Sequence, residues 1–321
     1  GYTTLELFFA SDPSQWKVTP FLDVRGHVFD NGKWAAIFGN GYNSAENDGS
    51  VGSDRGVLFI LFIEDGLDGI WSPADYVKID TGVAEGGLAS PNYMDMNVDG
   101  IVDIIYAGDR QGNMWRFDLS SSNPADWNLA TKRKILFTAV SAGGAKQSIT
   151  TKPEVTFHPI DYSSTLVYFG TGKYLELSDV LSTTSESFYG IWDRNAAAPA
   201  RSSLLQQSMT ATSNFGSTTN YRIPTNFAIN WGTHSGWVID FPSLRERAVG
   251  TPKLNNGVLL FSSFIPSSDV CSFGGSGWLM AVDYRNGGLL AKPPFENIIG
   301  GVTTFISAGA VETGGAVGGF T

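Results

Sequence analysis

The 321-residue chain combines a formal net charge of −10 with only 16% charged residues, 38 glycines and 13% aromatic residues. With no basic stripe to offset it, that balance excludes non-specific attraction to nucleic acid or to an anionic membrane surface. A single cysteine, Cys271, excludes an intrachain disulfide or a thiolate zinc site within this chain, and no apolar run approaches the ~20 residues that span a bilayer.

Glycine and aromatic abundance with few charges favours short strands joined by tight turns, an all-β domain, over helices. Residues 1–20 hold a short apolar run at 5–10 and a turn-rich stretch at 11–14, without the basic start and apolar core of a signal peptide. The abrupt start at Gly1 and the Gly-rich end near Thr321 lead us to expect one domain, 1–321, excised from a larger protein. Residues 34–38 read as a buried strand closed by the glycine- and asparagine-rich turn 39–44; after a polar loop, 57–63 is a second apolar strand with an acidic stop at 64–66.

This strand, loop, strand, acidic-stop unit recurs. It returns at 104–109 with 114–118, at 166–170 with 188–193, in part at 236–240, and at 258–263 with 277–283; 303–307 begins another. Irregularly spaced repeats of this kind mark a propeller, in which burial of each small sheet on both faces produces continuous apolar runs. The aspartates that close the units, Asp118, Asp193, Asp240 and Asp283, suit turns, because a carboxylate accepts nearby backbone N–H groups. The interval 178–230 is polar and rich in Ser and Thr, and 201–210 is expected to form a short helix.

The chemistry concentrates at residues 95–103. Asp95, Asn97, Asp99 and Asp103 occupy loop positions 1, 3, 5 and 9, with Gly100 at 6 and Ile101 at 7. That spacing aims three side-chain oxygens, a backbone carbonyl and a closing carboxylate at one point, the arrangement calcium requires. Carboxylates crowded about 4 Å apart repel by roughly 4 kcal/mol per pair at an effective dielectric near 20, so the loop should loosen without a cation. Position 12 is Tyr106 rather than a bidentate glutamate, and 104–106 reads as a strand, so the loop leads into a sheet and is not held between helices.

Other motifs carry less. Gly170-Thr171-Gly172-Lys173 lacks the preceding glycine and following Ser or Thr of a phosphate loop and reads as a turn after a strand. His27, His158 and His234 are dispersed structural residues, and no Gly-x-Ser-x-Gly elbow is present. The oxygen-rich stretches 46–50 and 64–68 lack the calcium spacing, and Trp71, Trp127 and Trp231 are expected to serve packing.

Segments 34–44 (WAAIFGNGYNS), 88–119 (LASPNYMDMNVDGIVDIIYAGDRQGNMWRFDL), 168–174 (YFGTGKY), 187–193 (SFYGIWD) and 271–283 (CSFGGSGWLMAVD) together resemble, in colinear order, the C-terminal domain of the PilC/PilY family of type IV pilus proteins. The resemblance implies an irregular, roughly seven-bladed β-propeller with long inter-blade insertions, following an N-terminal region absent here. It implies Ca²⁺ held by Asp95, Asn97, Asp99, Ile101 and Asp103, and no catalysis. It further implies a role in pilus assembly, in opposing retraction and in surface attachment as an adhesin, at the pilus tip or outer membrane of a Gram-negative bacterium. The partners implied are pilus subunits or minor pilins and a host-cell receptor, with membrane association only through the larger assembly. The Arg-Gly-Asp triplet of some relatives is absent, since 53–56 runs Ser-Asp-Arg-Gly. Residues 277–283 also look like a blade of the calcium-containing pyrroloquinoline quinone dehydrogenases, the alternative reading. Several of those enzymes use a vicinal cysteine pair that Cys271 alone cannot supply, and their calcium lies at the quinone in the central funnel.

Overall fold

The structure is a computed structural model that describes residues 27–28, 32–42, 54–209, 211–267 and 275–314. The expectations for 1–20, for the 46–50 loop, for the side chain of His27 and for Cys271 lie outside the described residues. Contacts divide the chain into two units, residues 1–105 with 116–134, and residues 106–115 with 135–321.

The described residues are nearly all strand and turn, as the composition requires. One α-helical turn, Pro124–Trp127, starts from Asn123, whose side chain accepts from the N–H of Ala125, and it buries Trp127 completely. Among the described residues three short 3₁₀ segments make up the rest of the helical content. His27–Val28, Trp34–Gly39, Val57–Phe62 and Tyr76–Asp80 form one antiparallel sheet in chain order, and so the first predicted strand pair is a true pair. Its apolar side chains, Ala36, Phe38 and Leu61 among them, form a local core in which Phe38 stacks on Phe59 with ring centroids 5.4 Å apart.

A second sheet runs Asn92–Met94, Ile104–Gly108, Asn113–Asp118, Arg133–Thr138. A third is ordered Leu205–Gln207, Gly236–Asp240, Ser187–Asp193, Thr165–Gly170, Glu154–Phe157. A fourth is ordered Ala211–Ser213, Tyr221–Ile223, Ala310–Thr313, Gly275–Asp283, Val258–Pro266, Lys253–Asn255. Each predicted strand pair thus lies side by side in one small sheet, 236–240 joins the sheet of 166–170 and 188–193, and 303–306 falls within a separate two-stranded hairpin of Phe295–Ile299 with Val302–Ile306.

The continuous apolar runs follow from burial on two faces. From the third sheet, Leu166, Tyr168, Phe188, Trp237 and Ile239 pack with Leu259, Phe261, Met280 and Val282 of the fourth, and Phe188 stacks on Phe261 at 3.7 Å between centroids. The alternate residues Phe169 and Tyr189 turn the other way and pack against Phe137, at 6.4 and 5.2 Å. Alternation along Thr165–Gly170 and Ser187–Asp193 is therefore between two dry faces rather than between core and water.

Two buried arginines fasten the turns around this core. Arg222 donates to Glu246 Oε1 at 2.6 Å and to Ser243 Oγ at 2.8 Å while its guanidinium lies 3.8 Å from the Trp278 ring centre. Arg247 donates to the carbonyls of Lys173, Asp179 and Ser182, which fixes the chain after the Gly170-Thr171-Gly172-Lys173 turn. That turn follows a strand and opens no α-helix, as expected of a turn rather than a phosphate loop.

The helix expected over 201–210 is not formed. Arg201–Ser203 makes a single 3₁₀ turn and Leu205–Gln207 is a strand, laid parallel on Gly236–Asp240; Thr210 lies outside the described residues. Tertiary pairing overrides local propensity here, because Gln207 is fully buried and donates to the carbonyls of Phe227 and Asn286 while accepting from Thr225 and Phe227. Of the three tryptophans expected to pack, Trp127 is fully buried and Trp231 joins the large core, whereas Trp71 is 38% exposed.

His158 is a core residue. Its ring stacks on Trp192 at 4.2 Å and meets Trp231 edge-on at 4.4 Å, and its Nδ1 accepts from the N–H groups of Asp161 and Ile160. With Nδ1 an acceptor, the ring is neutral and carries its proton on Nε2, and burial holds its pKa below the usual 6.5. The unfolded chain binds this proton more readily, so the stability His158 contributes is complete above about pH 6.5 and is lost as the pH falls towards the lowered folded value. The margin in melting temperature by which the wild type exceeds a His158→Gln variant should narrow between pH 7 and 5 by calorimetry. Phe261→Ala should destabilise the fold by about 3–5 kcal/mol in equilibrium urea denaturation, because a stacked, fully buried ring is removed from a core with no room to collapse.

Candidate metal centre

The acidic loop joins Asn92–Met94 to Ile104–Gly108, adjacent strands of the second sheet. Both ends are fixed by backbone bonds: Asp103 donates its N–H to Met94 O at 3.0 Å, and its carbonyl accepts from Leu119 N at 2.7 Å. Between them the chain bends continuously through residues 96–100 and is exposed from Asn97 to Gly100.

The turn that the sequence assigned to Gly100 is present, with φ of 88°. A second left-handed residue was not foreseen: Val98 has φ of 61° and is 75% exposed. A β-branched side chain is among the least suited to that region, at a cost on the order of 1–2 kcal/mol, and no packing by its own side chain offsets it. Strain of this kind collects where a loop must hold its neighbours in a set direction.

Those neighbours turn inward. Asp95 accepts from the N–H of Gly100 at 2.7 Å and of Asp99 at 3.2 Å, Asp99 from Ile101 at 2.8 Å, and Asp103 from Met96 at 2.7 Å. Asn97 Oδ1 accepts from Asp99 N while its Nδ2 donates to Asp99 Oδ2 at 2.9 Å. The four side chains thus share one turn, and Asp103 reports their proximity: its pKa is raised first by burial and then by the charges of Asp95 and Asp99. Ile101, the fifth residue of the set, stands in the same turn as a backbone donor.

Among the described residues no group of three or more His, Cys, Asp or Glu side chains is arranged as a ready metal-ligand set, and this includes Asp95, Asp99 and Asp103. Their oxygens face backbone N–H donors instead. The donor chemistry nevertheless suits a hard cation, since the available atoms are oxygens, each N–H bond leaves a carboxylate oxygen a further lone pair, and the three negative charges stand uncompensated by any basic residue within the loop.

The remaining acidic positions have other duties. Asp118, Asp193 and Asp283 each accept the N–H of the residue two places on, Ser120, Asn195 and Arg285, as turn-forming aspartates do. Asp240 departs from that pattern. Both of its oxygens accept from Arg201 Nη2, at 2.7 and 2.8 Å, and Oδ1 also accepts from the Ser187 hydroxyl at 2.6 Å. Arg201 also donates to Tyr189 Oη at 2.7 Å, and burial pushes that phenol up to about 12, leaving it a neutral donor to Val140 O. Spacing gave no signal of this network, because Arg201 and Asp240 meet only through the parallel strand at 205–207. In the 64–68 stretch, Asp65 pairs with Lys33 and Asp68 accepts from Ile70 N, so those carboxylates do not converge. His234 Nδ1 accepts from Asn230 N within a turn.

A family profile described as the PilY1 beta-propeller domain matches residues 25–220. The chain belongs to this family. It is 34% identical over 305 residues to the type IV pilus biogenesis factor PilY1 of Pseudomonas aeruginosa, covering 83% of this chain and 25% of that protein. With a PilY1 homolog of Xylella fastidiosa it shares 33% identity over 310 residues, covering 89% of this chain and 20% of that protein. The crystal structure of the Pseudomonas aeruginosa PilY1 C-terminal domain superposes with a TM-score of 0.71 at 29% identity, covering 92% of this chain and 66% of that one. The small antiparallel sheets are therefore those of a PilY1 β-propeller, and the chain spans about a fifth to a quarter of the length of these curated relatives. No helix among the described residues is long and apolar enough to cross a membrane.

If Val98 is strained for the sake of its neighbours, Val98→Asn should raise stability by about 1 kcal/mol in the presence of chelator, because asparagine tolerates the left-handed region and no buried contact is lost. Urea denaturation in EDTA checks this.

Proposed function

We propose that this PilY1-family propeller is a non-catalytic calcium-binding domain of a type IV pilus-associated assembly factor and adhesin, which takes part in the balance of pilus extension and retraction and in surface attachment. Support for the pilus role comes from relatives named as type IV pilus biogenesis factors. The calcium reading rests on one observation above all: Asp95, Asn97, Asp99 and Asp103 share a single turn, strained at Val98.

A bound Ca²⁺ would supply two positive charges to a cluster of three carboxylates. Asp95, Asp99 and Asp103 would turn lone pairs towards it, Asn97 its amide oxygen and Ile101 its carbonyl, while Gly100 and Val98 keep the turn tight. Since Asp103 is tied by its own N–H and carbonyl to Met94 and Leu119, ordering of the loop is transmitted directly to the start of the Ile104–Gly108 strand. Without the ion, mutual repulsion leaves the exposed 97–100 segment the softest part of that connection. The partners on this reading are pilus subunits or minor pilins and a host-cell receptor, and the site of action is the cell surface, at the pilus tip or outer membrane, with any membrane association made through the larger assembly.

Isothermal titration of the chain with Ca²⁺ should give a dissociation constant of about 10⁻⁴ to 10⁻³ M, as extracellular calcium modules do. Asp99→Ala should weaken it tenfold or more, by roughly 1.4 kcal/mol; equal affinity in the variant would remove this loop as the site.

A further inference from the structure

The hairpin of Phe295–Ile299 with Val302–Ile306 has no third strand among the described residues. Gly300 and Gly301 have φ of 60° and 83°, the positive pair that a two-residue type I′ turn requires. In such a hairpin Ile299 and Val302 exchange the closing hydrogen bonds. The ladder then alternates, so that Asn297 with Thr304 and Phe295 with Ile306 are bonded pairs, while Thr303 and Phe305 turn their N–H and C=O groups outward.

One face of the hairpin is held down. Phe295, Ile299 and Ile306 join a cluster around Tyr221, and Asn297 Nδ2 donates to Tyr221 Oη at 2.9 Å. The opposite face carries Glu296, Ile298, Thr303 and Phe305 and is exposed, with Ile298 at 70% and Phe305 at 68%. The two outer edges differ. On the first strand the outward N–H of Ile298 is taken by the neighbouring Asn297 Oδ1 at 2.8 Å. The sequence of Val302–Ile306, Val-Thr-Thr-Phe-Ile, contains no charge and no proline, two of the means by which natural sheets blunt an edge. A two-stranded ribbon is also marginal in water by itself and gains stability from a third strand.

We propose that the outer edge of Val302–Ile306 accepts an extended strand from a partner protein and becomes the middle of a three-stranded sheet. The chemistry of the edge specifies that occupant. Outward N–H and C=O groups at Thr303 and Phe305, two residues apart, are satisfied together by another extended backbone in register. Ile298 and Phe305 require an apolar side chain on the same face. Glu296 on that face and the chain's net charge of −10 favour a strand flanked by lysine or arginine. The inference deepens the pilus-assembly reading by stating the kind of surface a partner presents. It makes no use of the calcium loop, so its test is run in EDTA and its failure leaves that loop unaffected.

The probe is a fluorescein-labelled peptide, acetyl-Lys-Val-Thr-Val-Thr-Val-Lys-amide, titrated with the whole chain by fluorescence anisotropy. A second peptide of the same sequence is N-methylated at alternate amides, which removes ladder donors and keeps the side chains. The variants are Thr303→Pro, which deletes an outward N–H, and Phe305→Lys, which places a charge on the open face; circular dichroism melts confirm that each is folded. Saturable binding is expected, weakened about tenfold or more in both variants and lost with the N-methylated peptide. Three results would overturn the proposal: no saturable binding, binding indifferent to both variants or to N-methylation, or a wild-type dimer in sedimentation velocity that Thr303→Pro dissolves, which would make a second copy the occupant.

Discussion

The structure depends on sheets that are dry on both sides. Strands Thr165–Gly170 and Ser187–Asp193 place Tyr168 and Phe188 against the neighbouring sheet through Phe261 and Met280, and Phe169 and Tyr189 against Phe137 on the other side. A slip of one residue would exchange the two sets, bringing rings shaped for one neighbour against the other, and so register is fixed without help from solvent. Interdigitated aromatic layers of this kind do not slide continuously. Changes at the exposed loops are therefore carried by the loops themselves and by the strand ends they lead into.

The same two-sided burial decides what the sequence could reveal. Apolar runs at 34–38, 57–63, 104–108 and 258–263 name their own strands, because runs this short, rich in β-branched and aromatic residues and bounded by turn residues, suit a buried sheet better than a helix. The turn of the acidic loop was legible for a different reason. Its residues are contiguous, and the observed turn needs only local bonds such as that from Ile101 N to Asp99 Oδ1. Val98 was not legible, since nothing in its residue type announces a positive φ, and its side chain argues against one. The 201–210 segment was misread because Leu204, Leu205 and Met209 fit helical spacing, whereas the fold uses Gln207 as a buried polar anchor. A buried glutamine with partners 20 and 79 residues away leaves no local trace.

The arginines are the other non-local feature. Arg201, Arg222 and Arg247 each tie segments far apart in sequence, and each uses more than one arm of the planar guanidinium: Nη1 on Tyr189 and Nη2 on Asp240, one arm on Glu246 and the other on Ser243 beside the Trp278 ring, or both arms spread over three carbonyls. In a chain with so few charges they hold the polar seams where turns meet the apolar layers. Lysine presents a point charge and reproduces none of these geometries.

The excursion between residues 194 and 235 resembles a dispensable surface loop in composition, yet its Leu205–Gln207 segment covers the border of the Gly236–Asp240 strand. An engineer shortening the domain for crystallisation or vaccine display would be tempted to trim it. Doing so would uncover a tryptophan-containing, largely apolar rim able to recruit foreign chains, and the product would tend to precipitate. The residues that look like spare cord are the selvedge that keeps this sheet from fraying into its neighbours.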